Sequence, residues 1–99
     1  MDGYVDLERR SGRRRAVELD AGVRRLGAGG RPVKIFDLSE SGCAFEPAGF
    51  LNVGQTVFVR LPGVESWPAV IAWVRDGRAG CRFERPFHPG VVARLLPGR

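Results

Sequence analysis

Along most of the chain apolar and polar side chains alternate, and glycine, proline and aspartate break the alternation at short intervals. Between Ala16 and Leu26, Val17, Leu19, Ala21 and Val23 alternate with Glu18, Asp20 and Gly22, the period of two that a half-buried strand requires. Gly27–Gly30 interrupts as a flexible turn. A second short strand is predicted over Pro32–Phe36, a polar knuckle over Asp37–Gly42 and a return strand over Cys43–Glu46. Pro47–Gly54 reads as a loop, and Gln55–Leu61 alternates again with Val57, Val59 and Leu61 on one side. After the turn Pro62–Gly63, the segment Ser66–Arg75 is rich in valine, isoleucine and tryptophan, which suit strands. Asp76–Gly77 is a strong hairpin signal joining it to a partner strand over Ala79–Glu84. The end of the chain differs. Val91 and Val92 recur as Leu95 and Leu96, which makes one apolar helical face, with Pro89 in the first turn and Pro97–Gly98 to stop it. Five or six short strands with one terminal helix over about residues 88–96 predict a small antiparallel all-β barrel capped by that helix. Ahead of it, residues 1–14 have few apolar side chains and no period, and are expected to form a mobile arm before a barrel domain over 15–99.

A chain of 99 residues suits one core, and a hydrophobic fraction of 43% argues against wholesale disorder. The longest apolar runs, Ala69–Val74 and Val91–Leu96, are too short to span a bilayer. Met1–Glu8 has no apolar stretch of signal-peptide type, so a soluble cytoplasmic protein without membrane insertion is expected. Cys43 and Cys81 lie far apart in sequence with no companion ligands, and read as buried free thiols rather than as a disulfide framework or a metal site. The net charge of +5 is uneven. Half of the 16 basic residues fall between Arg9 and Arg31, and Lys34 is the only lysine. Arginine presents a flat, permanently charged fork of donors that suits phosphate and the guanine edge.

Catalytic constellations are poor, and the chain is not expected to be an enzyme. The single histidine, His88, sits before the helix beside Pro89 and reads as an exposed loop or helix-cap residue. No serine has the context of a nucleophile elbow, and there is neither a phosphate-binding glycine loop nor a dinucleotide fingerprint. Trp73 reads as packing, Trp67 as half exposed at a strand start, and Phe36, Phe45, Phe58 and Phe83 as core or barrel-surface contacts.

Two complementary features remain. Arg9-Arg10-Ser11-Gly12-Arg13-Arg14-Arg15 lies on the arm leading into the first strand. Asp37-Leu38-Ser39-Glu40-Ser41-Gly42 forms the knuckle between two strands. The first offers guanidinium forks to phosphates and to the O6/N7 edge of guanine. The second offers a carboxylate that accepts from guanine N–H groups and hydroxyls that bond phosphate or backbone. Its glycine permits a positive φ and close backbone approach to a ligand.

Together these residues resemble the PilZ domain family, whose signature is RxxxR followed about twenty to thirty residues later by [D/N]xSxxG. Asp37, Ser39 and Gly42 match the second motif. Arg9/Arg13 and Arg10/Arg14 both match the first, with Arg15 a further candidate. Arg10/Arg14 is preferred because Val17 and Leu19 then stand where the family places its first inward apolar residues. The resemblance runs from about Arg9 to Leu96. It implies a six-stranded Greek-key barrel that binds cyclic di-GMP as its ligand, with no other cofactor and no metal. Arg10 and Arg14 (or Arg9 and Arg13) would contact phosphate and the guanine edge, Asp37 and Ser39 a guanine and the ligand backbone, and Gly42 would shape the turn. The arm, self-repelling through five close arginines, is expected to order over the dianionic ligand. A receptor that signals to an unidentified effector protein follows. The alternatives are a PilZ-like protein–protein interaction module that does not bind the nucleotide, and a small basic barrel that binds nucleic acid. Against the last, the aromatics fall mostly at alternating strand positions rather than along a basic groove.

Overall fold

Within residues 15–95, which the computed structural model describes, six strands and one helix follow the alternation of the sequence. They are β1 (Arg15–Arg25), β2 (Gly30–Leu38), β3 (Gly42–Glu46), β4 (Thr56–Arg60), β5 (Trp67–Arg75), β6 (Arg78–Phe83) and α1 (Pro89–Leu95). The predicted arm over 1–14 lies outside the described residues, as does Leu96 of the predicted helix.

All pairings are antiparallel, in the order β1-β2-β3-β6-β5-β4, and β4 returns to β1 to close a barrel. Three hairpin-connected strands are followed by a fourth that crosses back to lie beside the first, which is the Greek-key path. Alternation decides what points inward. In β1, Ala16, Glu18 and Asp20 are exposed, Val17, Leu19 and Ala21 lean on the core, and Val23 is buried. Val57 and Val59 of β4 are buried between exposed or half-buried neighbours. With Ile35, Leu38, Phe45 and Ile71 they fill the interior, each buried aliphatic or aromatic side chain stabilising the fold by roughly 1.5–3 kcal/mol. At one end Phe87 stacks with Trp67 and Phe83, both centroid separations being 4.7 Å. Val92 of α1 is buried there, while Val91 and Leu95 are half-buried. His88 caps this helix, its Nδ1 accepting from the Gly90 amide at 3.0 Å. No described helix is long and apolar enough to cross a membrane.

Bulges shift the phase of three strands. Val17 and Glu18 of β1 together face Phe36, and Phe36 is itself the extra residue of β2 against β3. In β5 the extra residue is Ala72, since Ile71 lies opposite Cys81 but Trp73 opposite Gly80. Gly80 lies between the buried, inward Ala79 and Cys81, so it faces outward. Trp73 therefore packs, as expected, but over the outer surface of β6 and not in the interior. A β-carbon on Gly80 would collide with its indole, and the Arg75 guanidinium covers the ring from 5.6 Å. Gly80→Ala should displace the indole and lower stability by about 1–3 kcal/mol, as overpacking does, read as a lower denaturant midpoint at unchanged m-value.

The knuckle between β2 and β3 as a candidate ligand site

β2 runs two residues past the predicted end at Phe36. Leu38 is fully buried and anchors the strand in the core, and Asp37 is paired on both sides, with Ala16 of β1 and Ala44 of β3. Only Ser39, Glu40 and Ser41 leave the sheet. Three backbone bonds fix them. Ser39 N donates to Gly42 O at 2.9 Å, Phe83 N to Ser41 O at 2.8 Å, and Phe87 N to Glu40 O at 2.8 Å. The knuckle is thus tied to the end of β6 and the segment that follows it, and its Glu40 and Ser41 carbonyls are occupied by the protein itself.

Sequence reasoning left two partners open for the serine hydroxyls, phosphate or backbone. Ser39 is only 2% exposed and its Oγ accepts from the Ser41 amide at 3.3 Å, with Ser41 Oγ and Gly42 O both 3.4 Å away. Its hydroxyl therefore braces the turn from inside. Gly42 also differs from expectation. It is the first residue of β3, and it is not among the glycines with positive φ. A β-carbon there would collide with the Cys81 carbonyl oxygen, so what requires glycine is the close approach of β6. Asp37 is the carboxylate among the three motif positions and is half-buried at the edge of the knuckle, as is Glu40 within it.

The register also fixes where β1 meets this corner. Arg15 lies opposite Leu38 and Ala16 opposite Asp37, so the arginine cluster is joined to the sheet beside the knuckle. Arg9, Arg10, Arg13 and Arg14 themselves lie outside the described residues. One basic residue that spacing did not single out is Arg82, exposed and directly opposite Gly42 across β3 and β6. Only the register between two strands distant in sequence could have found it.

Behind the knuckle, β3 and β6 set Cys43 directly opposite Cys81. Both are buried free thiols, as expected, and their sulfurs are 3.5 Å apart. The hydrogen bond to Cys81, and then burial, push the Cys43 thiol well above its usual range, which keeps it protonated and unreactive.

Closed barrel, terminal helix and a D-x-S-x-x-G corner beside the first strand define a class of small antiparallel β-barrel domain. Residues 8–96 match the PilZ domain, and the chain belongs to that family. PilZ domains are regulatory receptor domains rather than enzymes, and are typically receptors for cyclic di-GMP. Among solved structures, the PilZ domain of CeSA from a cellulose-synthesizing bacterium is similar over 88% of this chain and 97% of that one, with 25% identity and a TM-score of 0.66. The Bacillus subtilis inhibitor of motility, MotI/DgrA, shares the fold at 18% identity and a TM-score of 0.56. That similarity covers 84% of this chain and 46% of the other. Comparison with curated protein sequences gives no match.

Two outcomes follow from the geometry alone. Gly42→Ala should destabilise the ligand-free protein by about 3 kcal/mol, the upper end of ordinary overpacking, because backbone rather than a side chain must move; thermal or urea unfolding measures it. The two thiols should react with iodoacetamide at pH 8 only as fast as the barrel opens, and fully in urea. Labelling followed by mass spectrometry distinguishes this from accessible thiols, which would react at once.

Proposed function

We propose that the chain is a cytoplasmic receptor for cyclic di-GMP that passes the ligand state to an effector protein. The observation that carries this reading is the register of β1 against β2, which joins the arginine cluster to the sheet next to Asp37 and the knuckle. Family membership supplies the expected ligand.

In this reading Arg10 and Arg14 donate to phosphate oxygens and to the O6/N7 edge of guanine, where a planar fork binds two acceptors at once. Asp37 accepts from guanine N–H groups. Ser39 and Gly42 act through the corner, one by bracing the turn and the other by letting β6 close behind it. Because the Ser39 and Ser41 amides and the Glu40 and Ser41 carbonyls are already bonded within the protein, ligand binding spends little free energy on ordering that side of the site. Arg82 adds a described guanidinium on the same rim.

Isothermal titration calorimetry tests the reading. Cyclic di-GMP should bind the wild type with a dissociation constant of about 1 μM or tighter. Arg14→Ala and Asp37→Ala should each weaken it about tenfold or more, equivalent to about 1.4 kcal/mol. GTP should not compete. Loss in Arg13→Ala with retention in Arg14→Ala would move the arginine pair to Arg9/Arg13. Absence of binding to the wild type would end the receptor reading.

A further inference from the structure

A second basic feature lies on the outer face where β1 meets β4. Val23 points into the barrel, so Gly22 and Arg24 on either side of it point out. In β4, Val57 and Val59 point in, and Phe58 and Arg60 point out. The register sets Gly22 opposite Arg60 and Arg24 opposite Phe58, which makes the two arginines diagonal neighbours on one face. Because Gly22 has no side chain, a notch of about 180 Å³ opens there, walled by Arg24, Phe58, Arg60 and Ser66 and bordered by Gly30 of β2.

The charges in this notch are unbalanced. Neither Arg24 nor Arg60 forms an ion pair among the described residues, whereas Lys34 is matched by Asp20 at 3.0 Å and Arg78 by Glu46 at 3.0 Å. Asp20 and Glu65 border an adjoining hollow that Arg60 shares, and Asp20 is already held by Lys34. Arg24 is also pre-positioned, its guanidinium 4.6 Å from the centre of the Phe58 ring. That stacking removes part of the side-chain entropy an arginine otherwise loses on binding an anion. Across β5 the same face continues through half-buried Pro68, opposite Phe58, and Val70, opposite Thr56. Arginine and an aromatic ring at the centre, apolar side chains beside them and no lysine is the composition of a protein-binding patch.

The size of the notch narrows the occupant. Small-molecule pockets run to roughly 300–1,000 Å³; the notch itself, at about 180 Å³, accepts a carboxylate, and the adjoining hollow of about 570 Å³ is bordered by Asp20 and Glu65, whose carboxylates do not suit a nucleotide's phosphates. The one aromatic ring is covered by Arg24 and is not free to stack on a base. We propose that this face docks the partner protein, which presents a carboxylate side chain to Arg24 and Arg60 and an adjacent apolar side chain to Phe58, Pro68 and Val70. Only the naming of that partner as the effector rests on the receptor reading above. From Ala16, beside Asp37, to Gly22 is about 20 Å along β1 at roughly 3.3 Å per residue, so the arginine notch lies away from the knuckle, and the two surfaces approach each other only across β5 and β6, where Val70 is opposite Arg82.

The test is an NMR titration of the ¹⁵N-labelled full chain at about physiological salt, using a synthetic peptide of alternating Glu and Phe and a counterpart of alternating Lys and Phe. The Glu/Phe peptide should shift the amides of Gly22, Arg24, Phe58 and Arg60 as one saturable group, and the Lys/Phe peptide should not. The double variant Arg24→Glu with Arg60→Glu should lose at least about tenfold in affinity for the first peptide and gain affinity for the second. Its dispersed spectrum would show that it folds. Absence of shifts at millimolar peptide, shifts spread equally over Arg75, Arg78 and Arg94, or indifference to the charge reversal would each overturn the proposal. The double variant should still bind cyclic di-GMP as the wild type does. A wild type that binds the peptide but not the nucleotide would end the receptor reading and leave this surface standing.

Discussion

Closing six strands into a barrel makes β3 and β6 neighbours although more than thirty residues separate them, and their seam leaves no room for a side chain at two glycines. At Gly42 a β-carbon would strike the carbonyl of Cys81, and at Gly80 it would strike the indole of Trp73. Between these two glycines the paired positions hold only small side chains, Cys43 against Cys81 and Ala44 against Gly80, all of them buried. Larger residues at the cysteine positions would overfill the core, and one at Gly80 would displace the Trp73 indole. The thiol pair fits this constraint better than a reactive role. Two sulfurs in contact, with the Cys43 proton held tightly, fill the seam as small apolar groups.

The candidate ligand corner is a consequence of the same seam. Once β3 lies against β6, the chain leaving β6 passes beneath the knuckle, and Phe83 and Phe87 donate to the carbonyls of Ser41 and Glu40. Two further donors come from within the knuckle itself, the Ser39 amide to Gly42 and the Ser41 amide to Ser39 Oγ. A short turn braced in this way is rigid before any ligand arrives, and its shape is set by core packing as much as by its own residues. Of the three motif positions, two serve this shape and one, Asp37, presents a charge at the rim.

Much of this was legible in the sequence, for identifiable reasons. Period-two alternation marked β1 and β4 to within a residue, and Asp76–Gly77 marked the β5–β6 hairpin, where both residues adopt positive φ. His88 was readable as a helix cap and the cysteines as buried thiols. The failures share one cause, which is that bulges and cross-strand contacts leave no local pattern. Asp37 is polar and looked like the start of a turn, yet it is a strand residue between two ladders, and Leu38 beyond it anchors the core. Gly42 looked like a turn glycine because turns use glycine, but its requirement comes from a strand 39 positions away. The extra residue Ala72 reversed the phase of β5 and turned Trp73 outward. Arg82 beside Gly42, and Arg24 stacked on Phe58, follow only from registers that a single sequence does not display.

β1 is the strand that both candidate surfaces share, and its two halves are held differently. From Gly22 to Arg25 it is paired with β2 or its turn on one edge and with β4 on the other. Between Arg15 and Ala21, among the described residues, its ladder runs to β2 alone, and that stretch contains the bulge opposite Phe36. Backbone held on one edge, with an unpaired residue in the ladder, opens at lower free energy than backbone held on two. A ligand at the knuckle therefore meets the softer half of the strand, while the Gly22–Arg24 face sits on the stiffer half. A partner bound to the stiff half responds to the ligand only as far as its contacts differ between the two states of the soft half. By the same linkage the partner would change ligand affinity by an equal factor. With the notch about 20 Å along β1 from Asp37, such coupling would have to cross Val17, Leu19 and Ala21, which lean on the core without being sealed into it.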